Sequence, residues 1–172
     1  VRVALTGTPG TGKTTASERL PYPTLHLNDA VREHDLWTEE DTDRDSLVVD
    51  VDALAAWVDD HVEAGETVVL ESHLAHLLDA DRVVVLRCRP DVLESRLRER
   101  GESDAKAAEN SESEALDVVL SESVQRHGEE RVYEIDTTER TPEDVAAEIE
   151  AVVDGDREPS AGTVDFTDYL HP

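Results

Sequence analysis

Short apolar runs alternate with amphipathic stretches along the chain. Residues 1–6, 24–27, 67–70, 82–88 and 131–136 are dense in valine, leucine and other apolar residues. Each is too short for a buried helix and predicts a strand. The near-continuous apolar character of 67–70 and 82–88 suits strands covered on both faces. Helical spacing separates them. Residues 13–20 predict a first helix, and Pro21 and Pro23 bound the turn that follows. Asn28 predicts the cap of a short helix carrying Ala30, Val31 and Arg32, with Asp29 in its first turn. Leu54, Ala55, Trp57, Val58 and Val62 form one stripe of a helix that Asp50 or Asp52 starts and Gly65 ends. Pro90 and Asp91 open a helix with Leu93 and Leu97 on one face, Arg96 and Arg100 on an adjoining one, and Gly101 as its break. Ala115, Leu116, Val119, Leu120 and Val124 mark a further helix, ended by Gly128. Thr141, Pro142, Glu143 and Asp144 make the start of the last one.

Three stretches carry no such pattern. Residues 34–49 are polar and acidic apart from Leu36, Trp37, Leu47, Val48 and Val49, and predict an irregular insertion over a site. Residues 102–111 are polar and predict no element. After Gly155 proline, glycine and serine appear among Val164, Phe166, Tyr169 and Leu170, which predicts a tail lying back on the body. The division is a domain over 1–154 and a C-terminal tail over 155–172. Five strands alternating with helices predict a doubly wound α/β fold with a five-stranded parallel sheet and a site beyond the strand carboxyl ends.

The first strand runs into Gly7, Thr8, Pro9, Gly10, Thr11, Gly12, Lys13, Thr14 and Thr15. This is the phosphate-binding loop pattern in its required context of strand, loop and helix. Glycines allow a tight turn whose N–H groups converge on one point. Gly10, Thr11, Gly12, Lys13, Thr14 and Thr15 are therefore the nucleotide-binding candidates. Lys13 is placed to reach β- and γ-phosphates and the Thr14 hydroxyl to hold Mg²⁺.

Composition narrows the partners. The 172 residues hold 42 acidic and 16 basic side chains, for a net charge of −26. That balance disfavours broad binding to nucleic acid and leaves room for a basic protein partner. A high-salt cytoplasm, where screening is strong, accounts for most of it as a solvated acidic face. The one cysteine, Cys88, excludes an intrachain disulfide and a thiolate metal cluster. No run approaches transmembrane length and no signal peptide is visible, so a cytoplasmic location is expected.

Chemistry beyond the loop rests on few residues. Glu71 at the end of the third strand can orient metal-bound water near Mg²⁺, or be one more solvated acid. His73 can touch a phosphate, act as a base or orient water, or be a polar loop residue. His76 has no reason to face the loop. Arg96 and Arg100 can clamp transferring phosphates, or pair with Glu94 and Glu99 on the surface. Arg32 is a candidate for a second substrate's phosphate. Residues 137–141 are placed to touch a nucleotide base through backbone groups. No guanine-reading asparagine-lysine-x-aspartate motif is present.

These segments, in this order, resemble the atypical adenylate kinases shared by archaea and the eukaryotic nucleus, also described as small-subunit ribosome assembly factors. The likeness covers about residues 1–153 and has the acid-rich character of a haloarchaeal-like member. It rests on residues 7–15; on Asn28, Asp29 and Arg32; on Glu71, Ser72 and His73; on Leu86 and Arg87; on Leu93, Arg96, Leu97, Arg100 and Gly101; and on Asn110, Glu114 and Ala115. Glu102 stands where an aromatic is common in that family. The resemblance implies a nucleoside monophosphate kinase-like three-layer sandwich that converts ATP and AMP to two ADP with Mg²⁺, and a slower ATPase activity. It implies an AMP-binding segment over 29–50 using Asp29 and Arg32, and a short lid over 98–110. It places Lys13, Glu71, His73, Arg96 and Arg100 at the chemistry, Arg96 also on ATP, and Thr14 and Glu71 near the metal. It also implies partnership with small-subunit ribosomal protein uS11 and late maturation of the small ribosomal subunit RNA. The alternatives are an assembly ATPase, or a kinase for another nucleotide, a nucleoside or shikimate.

Overall fold

The computed structural model describes residues 1–41 and 46–170. In chain order it forms β1 (Arg2–Thr6), α1 (Lys13–Ser17), β2 (Thr24–His26), α2 (Leu27–Glu33), β3 (Trp37–Asp41), β4 (Ser46–Val49), α3 (Val51–His61) and β5 (Val68–Glu71). Then come β6 (Arg82–Arg87), α4 (Pro90–Glu99), α5 (Asp104–Ala115), α6 (Val118–His127), β7 (Val132–Asp136) and α7 (Pro142–Val153). Short 3₁₀ turns lie at Ala75–Leu77, Glu129–Arg131 and Thr167–Leu170.

The five predicted strands make one parallel sheet in the order β2-β5-β1-β6-β7. Strand alternation sends successive side chains to opposite faces, and each face has its own core. Val3 and Leu5 of β1 and Val84 and Leu86 of β6 pack with Ile135, Val145, Ile149 and Val152. Ala4, Val83 and Val85 face the other way, onto Leu27, Leu54, Val58 and Leu120. The chain leaves β1 for β2 on one side and later crosses from β5 to β6 on the other. The direction of winding thus reverses around β1, where open α/β sheets form a crevice beyond their carboxyl ends.

Several local expectations need correction. The insertion at 34–49 contains an antiparallel pair, with Trp37 opposite Val49 and Glu40 opposite Leu47; its residues 42–45 lie outside the described residues. Leu47 and Val49 pack against the core while Val48 is exposed, a period of two that the acidic partner strand hides. The polar stretch 102–111 is mostly helix α5, whose Ser103 cap accepts from the Lys106 N–H. Its buried face is Ala107, Ser111, Glu114 and Ala115, too small and polar to register as an apolar stripe. Asn28 does not cap α2, because the helix begins two residues earlier than that cap predicts, with His26 at the cap. The first helix stops at Ser17, short of 20, and α3 ends at His61, before Gly65. Asp50 and Thr141 do cap α3 and α7, accepting from the N–H groups of Ala53 and Asp144.

The tail covers the exposed edge of β7. The Ser160 N–H donates to the Val132 carbonyl and the Ser160 hydroxyl accepts from the Glu134 N–H. Phe166 is buried, its ring 5.3 Å from the Arg87 guanidinium carbon. An edge strand is thereby closed to pairing with another chain.

His76 sits in the core beneath β1, 1% exposed, with Nδ1 2.7 Å from the Thr6 hydroxyl. Burial, with neighbouring His127, pushes its pKa down to about 4. Glu122 lies 3.7 Å from Nε2, too far for a hydrogen bond. An unfolded chain protonates this imidazole near pH 6.5 while the folded one does not. Stability from His76 is therefore intact above about pH 6.5 and falls as pH drops toward 4, by roughly 3 kcal/mol across that window. Chemical denaturation at pH 7 and pH 5 checks this: His76→Gln narrows the difference seen in the wild type.

Candidate active site

A cleft of about 740 Å³ opens at the carboxyl end of β1, between the phosphate loop, β5, α4 and the start of α7. The loop's path demands glycine. A Cβ on Gly7 would stand 2.7 Å from the Leu86 carbonyl oxygen of β6, and one on Gly10 would stand 2.9 Å from the side chains of Leu93 and Leu97. Gly7 and Gly10 also hold φ of +149° and +94°, where side-chain-bearing residues are strained. The loop is thus pressed against both the sheet and α4.

Lys13 is 8% exposed, and its ammonium donates to the carbonyls of Gly7 at 2.9 Å and Thr8 at 3.2 Å. Burial lowers its pKa to about 8, against the opposing pull of Glu71 and with a further push from Arg100. It is mostly charged at pH 7, and an anionic ligand would hold it so. The Glu71 carboxylate, also buried, accepts from the Thr14 hydroxyl at 2.9 Å, and His26 Nδ1 lies 3.1 Å from the same oxygen. A hydroxyl and a carboxylate side by side on the cleft wall are a hard oxygen pair, the donor type that suits Mg²⁺. The pair predicted for metal binding fits that ion.

His73 lines the cleft. Burial, and then the Lys13 charge, lower its pKa to about 4. At neutral pH it is an uncharged imidazole, which can accept or donate one hydrogen bond but does not offer a cation to phosphate.

The arginines separate cleanly. Arg96 reaches across the cleft to donate to the Thr137 carbonyl at 3.2 Å, so it joins α4 to the loop after β7. Thr137 in turn donates to the carbonyls of Thr11 and Arg87. Arg100, at the end of α4, lines the cleft from an exposed position. Arg98 points away and pairs with Glu94 and Asp104. Asp29 and Arg32 are exposed on α2 and are not among the residues that line the cleft. Their neighbour Asn28 is, its side-chain amide oxygen accepting from the Ser72 hydroxyl at 2.8 Å. His26, Glu99, Pro142 and Val145 complete the surroundings without having been singled out, and Thr137 and Arg140 come from the 137–141 stretch expected beside a base. Position after the last strand was the signal for 137–141. The others become neighbours only through folding.

Known proteins resemble this chain in sequence and fold. The AAA domain family matches residues 3–117. A 61% identical relative from Natronomonas pharaonis spans 99% of this chain and all of its own length, and carries the name "putative adenylate kinase". The chain belongs to that adenylate-kinase-like phosphate-loop family. Relatives of the same name from Halobacterium salinarum, 60% identical over 99% of this chain and all of their own, and from Methanocaldococcus jannaschii, 41% identical over 99% and 97%, extend it. Two solved structures share the fold. A shikimate kinase from Bacteroides thetaiotaomicron has TM-score 0.60 at 20% identity, covering 90% of this chain and 98% of its own. A gluconokinase from Sinorhizobium meliloti has TM-score 0.57 at 16%, covering 90% and 91%. Membership implies a nucleotide-binding phosphotransferase.

Because Lys13 has to be charged to hold a triphosphate, nucleotide affinity should decline as pH rises above about 8, approaching tenfold per pH unit where the free ammonium is deprotonated. Titration calorimetry with ATP from pH 7 to 9.5 measures it. Lys13→Met should bind weakly and show a flat profile over this range.

Proposed function

We propose that the protein transfers the γ-phosphoryl group of ATP to a small acceptor and that the acceptor is AMP. The observation that carries the phosphotransferase reading is the convergence of Lys13, Thr14, Glu71, His73, Arg96 and Arg100 on one cleft. The AMP assignment is supported by the name of the archaeal relatives and by their near-complete overlap with this chain. Asn28, on the helix after β2, offers a polar group for an acceptor at that side of the cleft.

Direct in-line transfer asks the protein for positioning and charge stabilisation. Lys13 would leave its carbonyl partners for the β- and γ-phosphates. Arg100 and Arg96 would face the moving phosphoryl group from α4, with Arg96 already aimed by Thr137. Mg²⁺, held through Thr14 and Glu71, would supply neutralisation of the phosphate charge. Neutral His73 would orient a water or phosphate oxygen by a hydrogen bond rather than by charge. The same loop without an acceptor would support slow ATP hydrolysis. The resemblance supports a further proposal, engagement of uS11 and the maturing small ribosomal subunit, in which a chain of net charge −26 would be electrostatically suited to the basic protein rather than to the RNA.

The deciding experiment is a panel of acceptors with γ-labelled ATP: AMP, other nucleoside monophosphates, nucleosides and shikimate. Label should move to AMP, giving ADP far faster than ATP is hydrolysed alone. ADP formation at an unchanged rate with and without AMP would sink the AMP assignment, and transfer to another member of the panel would replace it. Arg100→Ala should lower kcat by about 10²–10³-fold in the transfer assay with little change in thermal stability, since the side chain is exposed.

A further inference from the structure

Behind the phosphate loop lies a buried cluster that the proposed transfer does not use. Glu114, at the end of α5, is 2% exposed, and each of its carboxylate oxygens is engaged. One accepts from the Thr8 hydroxyl of the phosphate loop at 3.0 Å. The other accepts from the Cys88 N–H at 2.8 Å and from the Arg87 guanidinium at 3.2 Å. Arg87, 1% exposed at the end of β6, also donates to Glu134 at 2.6 Å and Asp117 at 2.5 Å. The far oxygen of Glu134 accepts from the N–H groups of Thr163 at 2.8 Å and Val164 at 3.1 Å in the tail. A continuous set of bonds therefore runs from the C-terminal segment through β7, β6 and α5 to the phosphate loop.

One guanidinium serves two buried carboxylates and a third that is partly exposed. Burial of charge on this scale is costly, and a well-packed apolar cluster of the same volume would often be as stable or more so. What an apolar cluster lacks is a directional acceptor for Thr8. That contact matters because of Lys13. In the structure its ammonium ties together the carbonyls of Gly7 and Thr8. Once Lys13 turns to phosphate, those ties are lost. The Thr8 carbonyl keeps its bond from the Thr11 hydroxyl, which is internal to the loop. Glu114 holds Thr8 from outside the loop, from a helix packed against the one that carries Arg96 and Arg100.

We propose that Glu114 is a positioning residue for nucleotide binding, fixing the phosphate loop through the Thr8 hydroxyl in the shape that receives the triphosphate. The inference rests on nucleotide binding by the loop and is independent of the acceptor.

The test is equilibrium binding of a non-transferable ATP analogue to the full chain, with thermal melts alongside. Thr8→Val keeps the shape and removes the hydroxyl; binding should weaken about tenfold or more, as for loss of a hydrogen bond to a charged group. Thr8→Ser should bind within about twofold of wild type. Glu114→Gln should weaken binding too, and the double variant should lose less than the product of the separate effects. Wild-type affinity in a folded Thr8→Val protein would overturn the proposal, as would equal loss in Thr8→Ser and Thr8→Val, or strictly multiplicative effects in the double variant. If Glu114→Gln folds poorly, the two Thr8 variants decide alone. Failure of the wild type to bind the analogue would instead overturn the nucleotide-binding reading itself.

Discussion

A buried ammonium bound to two backbone carbonyls at the end of a parallel strand is the constraint on which the site depends. Lys13 has given up most of its water, and its pKa of about 8 is the measure of that cost. The cost is tolerable only because Gly7 and Thr8 turn their carbonyls toward it and because Glu71 lies nearby. Such a turn requires Gly7 to pass within contact of β6 and Gly10 to pass within contact of α4. The loop therefore has its shape from the sheet and α4 around it as well as from its own glycines.

The same logic extends outward from the loop. Each ring of residues around Lys13 is held by the next. Thr14 is held by Glu71, Thr11 and Arg96 meet at Thr137, and Thr8 is held by Glu114. Preorganisation of this kind suits phosphoryl transfer, where the protein's contribution is placement and charge rather than a covalent intermediate. The two low-pKa histidines play different parts. His73 faces the cleft as a neutral hydrogen-bonding group, while His76 supports β1 from beneath at the expense of acid stability.

Much of this was legible beforehand where the signal is local. Glycine spacing, a lysine and two threonines after a β-branched strand can do little else, and the five apolar runs are too short and too regular for anything but strands. Glu71 and His73 were legible because one ends a strand and the other follows it at the site edge of the sheet. The stretches 102–111 and 34–49 were harder. A helix like α5, whose buried face is alanine, serine and glutamate, leaves almost no hydrophobic period. A hairpin with one acidic strand reads as loop. On α2, Asp29 and Arg32 carried the charge that sequence reasoning favours, yet it is Asn28 that lines the cleft. A helix places neighbours about 100° apart, so Asn28 and Asp29 face different ways.

From its sequence alone the chain determined a parallel α/β sheet, a phosphate loop and the strand-end acid beside it. Those follow from short-range periodicity and from backbone freedom at particular glycines, both written in adjacent residues. Tertiary structure alone decided that Arg96 is tied to Thr137 while Arg100 stands exposed at the cleft. It also decided that Arg87, Glu114 and Glu134, separated by 27 and 47 positions, share one buried cluster. The tail's place on the edge of β7 was settled in the same way. The physical reason is that buried charges are stable only with partners, and those partners come together only when α5 and β7 have packed against β6.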